Sequence, residues 1–91
     1  MSIGPYWSER FQRQVWLTHH ALMRASERDI GLDTVLEIVE TGTLQQREAG
    51  HCWIWKSVEA RHDNLLCVAA LLGNALIIKT VMHHFVPEEE L

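Results

Sequence analysis

Several features that mark large protein classes are missing from this sequence. Its 91 residues include only two cysteines and two prolines, and no apolar run approaches the roughly 20 residues that a membrane-spanning helix needs. Residues 1–10 lack both the basic and the apolar region of a secretory signal. The cysteines do not form a disulfide framework, so we expect reduced thiols. These absences predict a cytoplasmic protein that is not bound to a membrane.

The familiar metal and phosphate motifs are missing as well. The six histidines and two cysteines include no Cys-x-x-Cys and no His-x-x-x-His pair, and there is no glycine-rich phosphate loop. Ser26, Ser57 and Cys67 stand in no recognisable nucleophile motif. We therefore expect neither a metal ion nor a cofactor.

An excess of positive charge is the third missing feature. The chain has 8 Lys and Arg against 12 Asp and Glu, a net charge of −4. That sign excludes a protein whose whole surface attracts nucleic acid. Five of the acidic residues fall in the second predicted helix or in the tail, which leaves room for a local basic surface elsewhere: Glu37, Glu40, Glu88, Glu89 and Glu90.

Length and composition favour one domain. Ninety-one residues suit a single modest core, and 47% hydrophobic with 22% charged residues is typical of a globular protein. We divide the chain into an N-terminal helical extension over residues 1–14, a core over 15–83 and an acidic tail over 84–91.

Two adjacent helices are predicted in the first half of the chain. Thr18 is a suitable N-cap for the first, and Gly31 provides a permissive backbone at its end. Asp33 would cap the second, over residues 34–40. Before them, Val15-Trp16-Leu17 favours an extended link, and apolar residues at helical spacing predict a further short helix: Tyr6, Trp7, Phe11 and Val15.

The second half predicts four strands, over residues 43–48, 51–58, 65–72 and 75–83, with Gly73-Asn74 as a hairpin turn. The expected register sets Lys56 opposite Cys67 and Trp55 opposite Val68. One sheet face would then seat the helices and carry Lys56 and Thr80 at its polar end, together with Cys52, Ile54, Ala69, Leu71, Leu76, Ile78 and Met82. The other face would carry Trp53, Trp55, Lys79 and His83. A slip of one residue would exchange these faces.

The first helix carries a stripe of side chains that suits an anion. His20, Arg24 and Arg28 are spaced four residues apart, so they share one side of a helix. The arginines could bind phosphate while His20 moves a proton. The alternative is a structural stripe whose arginines bond to neighbouring carboxylates or carbonyls. His19 points about 100° away and is the weaker candidate.

Two tryptophans form a second candidate surface. Trp53 and Trp55 are two apart on one predicted strand, beside Lys79, and could stack on nucleic-acid bases. The alternative is that the N-terminal segment or a second subunit covers them.

The stretch that carries the stripe resembles a known family. It reads Leu17-Thr18-x-His20-Ala21-x-x-Arg24-x-x-x-Arg28-x-Ile30 and is followed by Val35, Val39 and Gly42. This is similar to the Thr-x-His-Ala-x-x-Arg-x-x-x-Arg-x-Ile signature of small bacterial proteins described as domain of unknown function 4258. The likeness covers about residues 15–83. The family looks like a relative of the RelE and ParE toxin fold, in which helices precede a curved antiparallel sheet.

The resemblance implies a fold and a function as expectations. The fold is α+β, with two to three N-terminal helices packed on a four-stranded, mainly antiparallel sheet. The function is a toxin-like RNA-binding domain or metal-independent ribonuclease, with His20, Arg24 and Arg28 as catalytic residues. Lys56, Lys79, Thr80 and Trp55 are the substrate-binding candidates. The alternative is a non-catalytic interaction module that binds a second copy or an antitoxin-like protein, because this chain is acidic where such toxins are usually basic.

Overall fold

The structure is a computed structural model that describes residues 2–57 and 65–83. Within these ranges it contains six strands, two α-helices and a short 3-10 turn at Glu48–Gly50. The elements in chain order are β1 (Ser2–Ser8), β2 (Arg13–Thr18), α1 (His19–Glu27), α2 (Leu32–Thr41), β3 (Thr43–Gln46), β4 (His51–Ser57), β5 (Leu65–Leu72) and β6 (Leu76–Met82). The predicted tail over 84–91 and the loop from 59 to 64 lie outside the described residues.

All the described strands join in one mixed sheet, in the order β1-β2-β6-β5-β4-β3. Strand β2 lies parallel to β6, and the other neighbouring pairs are antiparallel. The expected four-stranded sheet of the RelE/ParE type, with two to three helices before it, is therefore wrong. The chain places two strands, and no helix, ahead of α1.

The N-terminal hairpin explains this correction. Val15 and Leu17 are buried, whereas Gln14 is exposed and Trp16 is half-buried. That alternation has the period of two that a strand requires, and it seats β2 against β6 with Leu17 opposite Ile78. The spacing from Tyr6 to Val15 that suggested a helix instead arises from two strands joined by a turn.

The helix pair is present where the sequence predicts it, with two differences at the ends. The left-handed residue after α1 is Asp29, with φ of 55°, while Gly31 has an extended backbone. Helix α2 begins at Leu32, capped by Gly31 and not by Asp33. Helix α1 packs over β6 and β2, and α2 over β4 and β5, closing the core on one face of the sheet.

The predicted register is also wrong. Trp55 pairs with Cys67, Lys56 with Leu66 and Leu72 with Leu76. The sequence could not show that the turn after Leu72 spans three residues, or that the pairing of β5 and β6 shifts between Ala69 and Ala70. The helix-covered face consequently includes Leu66, Val68, Ala70 and Val81, whereas Ala69, Leu71 and Met82 fall on the opposite face.

Glu40, near the end of α2, binds the β1–β2 turn. Its carboxylate accepts hydrogen bonds from the backbone amides of Glu9 (2.9 Å) and Arg10 (3.1 Å), and from the hydroxyl of the buried Ser8. The Arg10 guanidinium in return donates to the carbonyls at the end of α2, Val39 (3.1 Å) and Gly42 (2.7 Å). These bonds satisfy helix-terminal carbonyls and attach the hairpin to the helix layer.

Candidate functional site

Thr18 positions the start of α1. Its backbone is extended, and its hydroxyl oxygen accepts a hydrogen bond from the amide of Ala21 at 3.1 Å, which confirms the predicted N-cap. The same hydroxyl donates to the carbonyl of Lys79 at 3.3 Å. One side chain thus ends β2, begins α1 and fixes the helix start to β6.

The parallel pairing of β2 and β6 determines what surrounds this helix start. Because the strands run in the same direction, with Leu17 opposite Ile78, the residues that follow both positions lie together. These are Thr18 and His19 on one chain segment and Lys79 on the other. The backbone of Lys79, a substrate-binding candidate, therefore lies beside the start of α1, although Lys79 is in the middle of β6 and not at its end.

The buried side of α1 is made of small residues. Ala21 and Ala25 are buried, and as small side chains they allow the helix to pack closely on the sheet. His20 and Arg24 are exposed, and Arg28, the C-cap residue, is half-buried. The Arg28 guanidinium lies 3.5 Å from the carbonyl of Arg24, four residues earlier. His20 and Arg24 therefore lie on the outer side of the helix, whereas Arg28 lies at its end with its Nε buried.

The bonds that His20, Arg24 and Lys79 form decide whether a phosphate could reach these side chains. Arg24 forms an ion pair with Glu27 at 3.0 Å, but the two side chains are 44% and 50% exposed, so the pair holds Arg24 weakly. In the part of the chain that the structure describes, the side chains of His20 and Lys79 form no hydrogen bond or ion pair. A phosphate could therefore approach these donors without displacing a strong internal bond.

The other predicted binding residues do not join this surface. Lys56 lies under α2, where its ammonium contacts the carboxylate of Glu37 at 2.6 Å and the hydroxyl of Thr41 at 2.7 Å. Thr80 pairs with Ala69 on the face away from the helices. Trp55 is on that face too and is only 8% exposed, too little for stacking on a base. Of the predicted site residues, His20 and Arg24 therefore share the exposed side of α1, Arg28 lies at the end of that helix, and only the backbone of Lys79 is beside the helix start.

Both cysteines are unsuited to nucleophilic chemistry. They are free thiols on opposite faces of the sheet, and both are buried. Burial raises the pKa of Cys67 to about 12, partly offset by a hydrogen bond with the backbone of Ile54, and burial also raises the pKa of Cys52. Both therefore stay protonated near neutral pH and pack as small apolar side chains.

A second polar cluster was missed by sequence reasoning. Arg47, Glu48, His51 and Trp53 line a cleft of about 400 Å³ at the loop between β3 and β4. The guanidinium carbon of Arg47 lies 4.3 Å from the centre of the Trp53 ring. The alternation of side chains along β4 could have placed His51 and Trp53 on the same face of the strand. Only the loop geometry, however, brings Arg47 over the indole.

Within residues 2–57 and 65–83, no helix has the length and apolar character needed to span a bilayer. The same ranges contain no group of three His, Cys, Asp or Glu side chains arranged to hold a metal ion.

Comparison with known proteins gives one assignment. Residues 17–83 match the family described as Domain of unknown function (DUF4258). No curated protein and no solved structure matches the chain. The matched segment runs from the end of β2 through β6, so it includes the whole α1 surface and Lys79 but not β1. The match covers well over half of the chain, which therefore belongs to the DUF4258 family.

Proposed function

We propose that this chain binds RNA through the outer side of α1 and cleaves it without a metal ion. The observation that carries the proposal is the exposure of His20 and Arg24 on one side of α1, with Arg28 at the end of that helix and the backbone of Lys79 beside its start. Guanidinium groups suit phosphate oxygens because they donate two parallel hydrogen bonds. The overall charge of −4 makes this a local site.

His20 is the residue we assign to proton transfer. Its neutral imidazole would accept the proton of an RNA 2′-hydroxyl as that oxygen attacks the adjacent phosphorus. The resulting imidazolium would return the proton to the departing 5′-oxygen, leaving a 2′,3′-cyclic phosphate and a free 5′-hydroxyl. Arg24, Arg28 and Lys79 would hold the phosphate and offset the charge that develops on it.

The non-catalytic alternative has weaker support. It required Trp53 and Trp55 to form an open contact face, but Trp55 is buried and Trp53 lies beneath Arg47. The toxin comparison rested on an expected sheet that the six-stranded fold replaces. The RNA proposal therefore depends on the side chains of α1 and on Lys79, and not on the toxin comparison. A cytoplasmic location agrees with an RNA substrate and stays a prediction.

The test is cleavage of a labelled RNA by the purified protein in excess chelator. Loss of a general acid–base group typically slows a reaction by about 10²- to 10⁴-fold, so His20→Ala should lose at least about 100-fold in rate. His19→Ala is the matched control, because it removes the neighbouring exposed imidazole from the same helical turn and should keep most of the activity.

Binding must be measured beside cleavage. Fluorescence anisotropy with the same RNA should show weaker binding by Arg28→Ala and Lys79→Ala, and little change for His20→Ala. Equal activity of His20→Ala and wild type would overturn the assigned proton transfer. Absence of both binding and cleavage by folded wild-type protein would overturn the function and favour the interaction-module alternative.

A further inference from the structure

The two edges of the sheet differ in how well they are protected against pairing with another chain. Strand β1, at one edge, contains Pro5, which has no amide hydrogen to donate, and its pairing with β2 is irregular between Ile3 and Tyr6. Both features keep an edge strand from pairing with another chain. Strand β3, at the other edge, has no proline, no charged residue and a regular pairing with β4. Within the part of the chain that the structure describes, β3 is therefore the edge that is open to a further strand.

The pairing of β3 with β4 shows which backbone groups face outward. Hydrogen-bonded and non-hydrogen-bonded pairs alternate along two antiparallel strands. Because the amide of Arg47 donates to the carbonyl of His51, the position before Arg47 is a non-hydrogen-bonded pair and the one before that is a hydrogen-bonded pair. Gln45 is therefore bonded to β4, whereas the amides and carbonyls of Leu44 and Gln46 point away from the sheet. Their spacing of two residues is the spacing at which an added strand forms its bonds.

These outward groups complement those of a second copy. If two β3 strands pair antiparallel with Gln45 at the centre, Leu44 of each copy lies opposite Gln46 of the other. Each such pair can exchange backbone hydrogen bonds in both directions, while the two Gln45 residues face each other as a non-hydrogen-bonded pair. No like charges meet, because β3 carries no charged side chain.

The side chains of β3 also suit this pairing. The Oε1 atom of Gln45 is buried and has no hydrogen-bond partner among the described residues. A carboxamide has both donors and an acceptor, and its terminal torsion is soft, so two facing glutamines can turn to bond to each other. Leu44, which is half-buried at the edge of the core, would gain a neighbouring side chain from the second copy. We propose that two copies of this chain associate through β3, antiparallel about a two-fold axis at Gln45, so that their sheets become one.

The position of β3 separates this dimer from the RNA proposal. Helix α1 packs over β6 and β2, and β5 and β4 lie between those strands and β3. The outer side of α1 therefore stays accessible in the dimer, and either proposal can fail while the other stands. Because β3 has only 4 residues, the association should be weak and should depend on protein concentration.

The experiment is sedimentation velocity of the full chain at concentrations up to about 1 mM. Gln46→Pro removes one outward donor from each copy and breaks no bond within the chain, whereas Gln46→Ala keeps that donor. We expect Gln46→Pro to weaken dimerisation by at least about tenfold, and Gln46→Ala to dimerise like wild type. A wild-type chain that stays monomeric throughout overturns the proposal, as does equal dimerisation of folded Gln46→Pro and wild type.

Cross-linking provides a test that does not depend on proline. Gln45→Cys would place two thiols opposite each other across the two-fold axis, at a Cα separation of about 4.5 Å that a disulfide can bridge. Both native cysteines are buried, so they should not compete. Gln14→Cys is the matched control, because Gln14 is exposed on β2, a strand inside the sheet. Mild oxidation should link only the Gln45 variant into a covalent dimer, and linking of both variants or of neither would contradict pairing through β3.

Discussion

Helices α1 and α2 are of similar length and lie on the same sheet, yet they use their charged residues in opposite ways. Two glutamates of α2 are bonded to other elements: Glu40 holds the β1–β2 turn and Glu37 holds Lys56 of β4. On α1, by contrast, the ion pair of the Arg24 side chain is with its exposed neighbour Glu27 on the same helix. The contrast teaches that a charged stripe is a functional candidate only when the fold has not already bonded it.

The largest effect on stability is expected from removing Glu40, which tests whether the charged residues of α2 are structural. Glu40→Ala would leave two backbone amides and the buried Ser8 hydroxyl without their acceptor, and hydrogen bonds to charged groups contribute about 1.5 to 3 kcal/mol each. Because the two amide bonds are exposed and the Ser8 bond is partly buried, the three bonds together should contribute less than their full sum. We expect a loss of about 3 kcal/mol in the free energy of unfolding, measured by urea denaturation. Glu37→Ala is the control on the same helix, and because its pair with Lys56 is largely exposed it should cost less than about 1 kcal/mol. Equal losses in the two variants would contradict the structural role of Glu40.

A smaller effect is expected at the junction of the strand and helix that carry the candidate site. Thr18→Ala removes the N-cap acceptor and the bond to the Lys79 carbonyl, so we expect a loss of about 1 kcal/mol. Thr18→Ser keeps the hydroxyl and should recover most of that stability. If RNA binding falls with Thr18→Ala and returns with Thr18→Ser, the cap also positions the α1 surface. Unchanged stability in the alanine variant would show that the cap is dispensable.

The parts of this fold that the sequence predicts are those that depend on near neighbours. The Thr18 cap, the buried alanines of α1 and the His20 stripe all follow from spacings of three or four residues. The parallel pairing of β2 with β6 joins residues about sixty positions apart, and the shift between Ala69 and Ala70 has no local signature. Non-local pairing of this kind cannot be deduced from periodicity, so the sheet and its register were mispredicted.

In the candidate site, too, the sequence predicts what depends on near neighbours and misses what depends on distant residues. Spacing on one helix was enough to group His20, Arg24 and Arg28. Only the strand order shows that the backbone of Lys79 lies beside the start of α1 while Lys56 bonds to α2. The cleft of Arg47 and Trp53 depends on a turn in which Ala49 has a left-handed backbone conformation. An alanine in the sequence gives no sign of that conformation.

Of the variants considered, Arg24→Ala should change stability least, and it gives the most discriminating test of the difference between α1 and α2. Arg24→Ala should alter the free energy of unfolding by no more than about 0.5 kcal/mol, because its ion pair is exposed. If Arg24 contacts an RNA phosphate, the variant should bind RNA more weakly and lower the salt dependence of log Kd by about 0.7 of a unit.

Arg13 is the matched control, because its guanidinium donates to the carbonyls of Gly73 (2.8 Å) and Phe11 (2.9 Å). Arg13→Ala should therefore show the reverse pattern, with lower stability and an unchanged salt slope. If Arg24→Ala instead loses stability and leaves the salt slope unchanged, the stripe on α1 is structural. The two helices would then differ in the exposure of their charged residues and not in function.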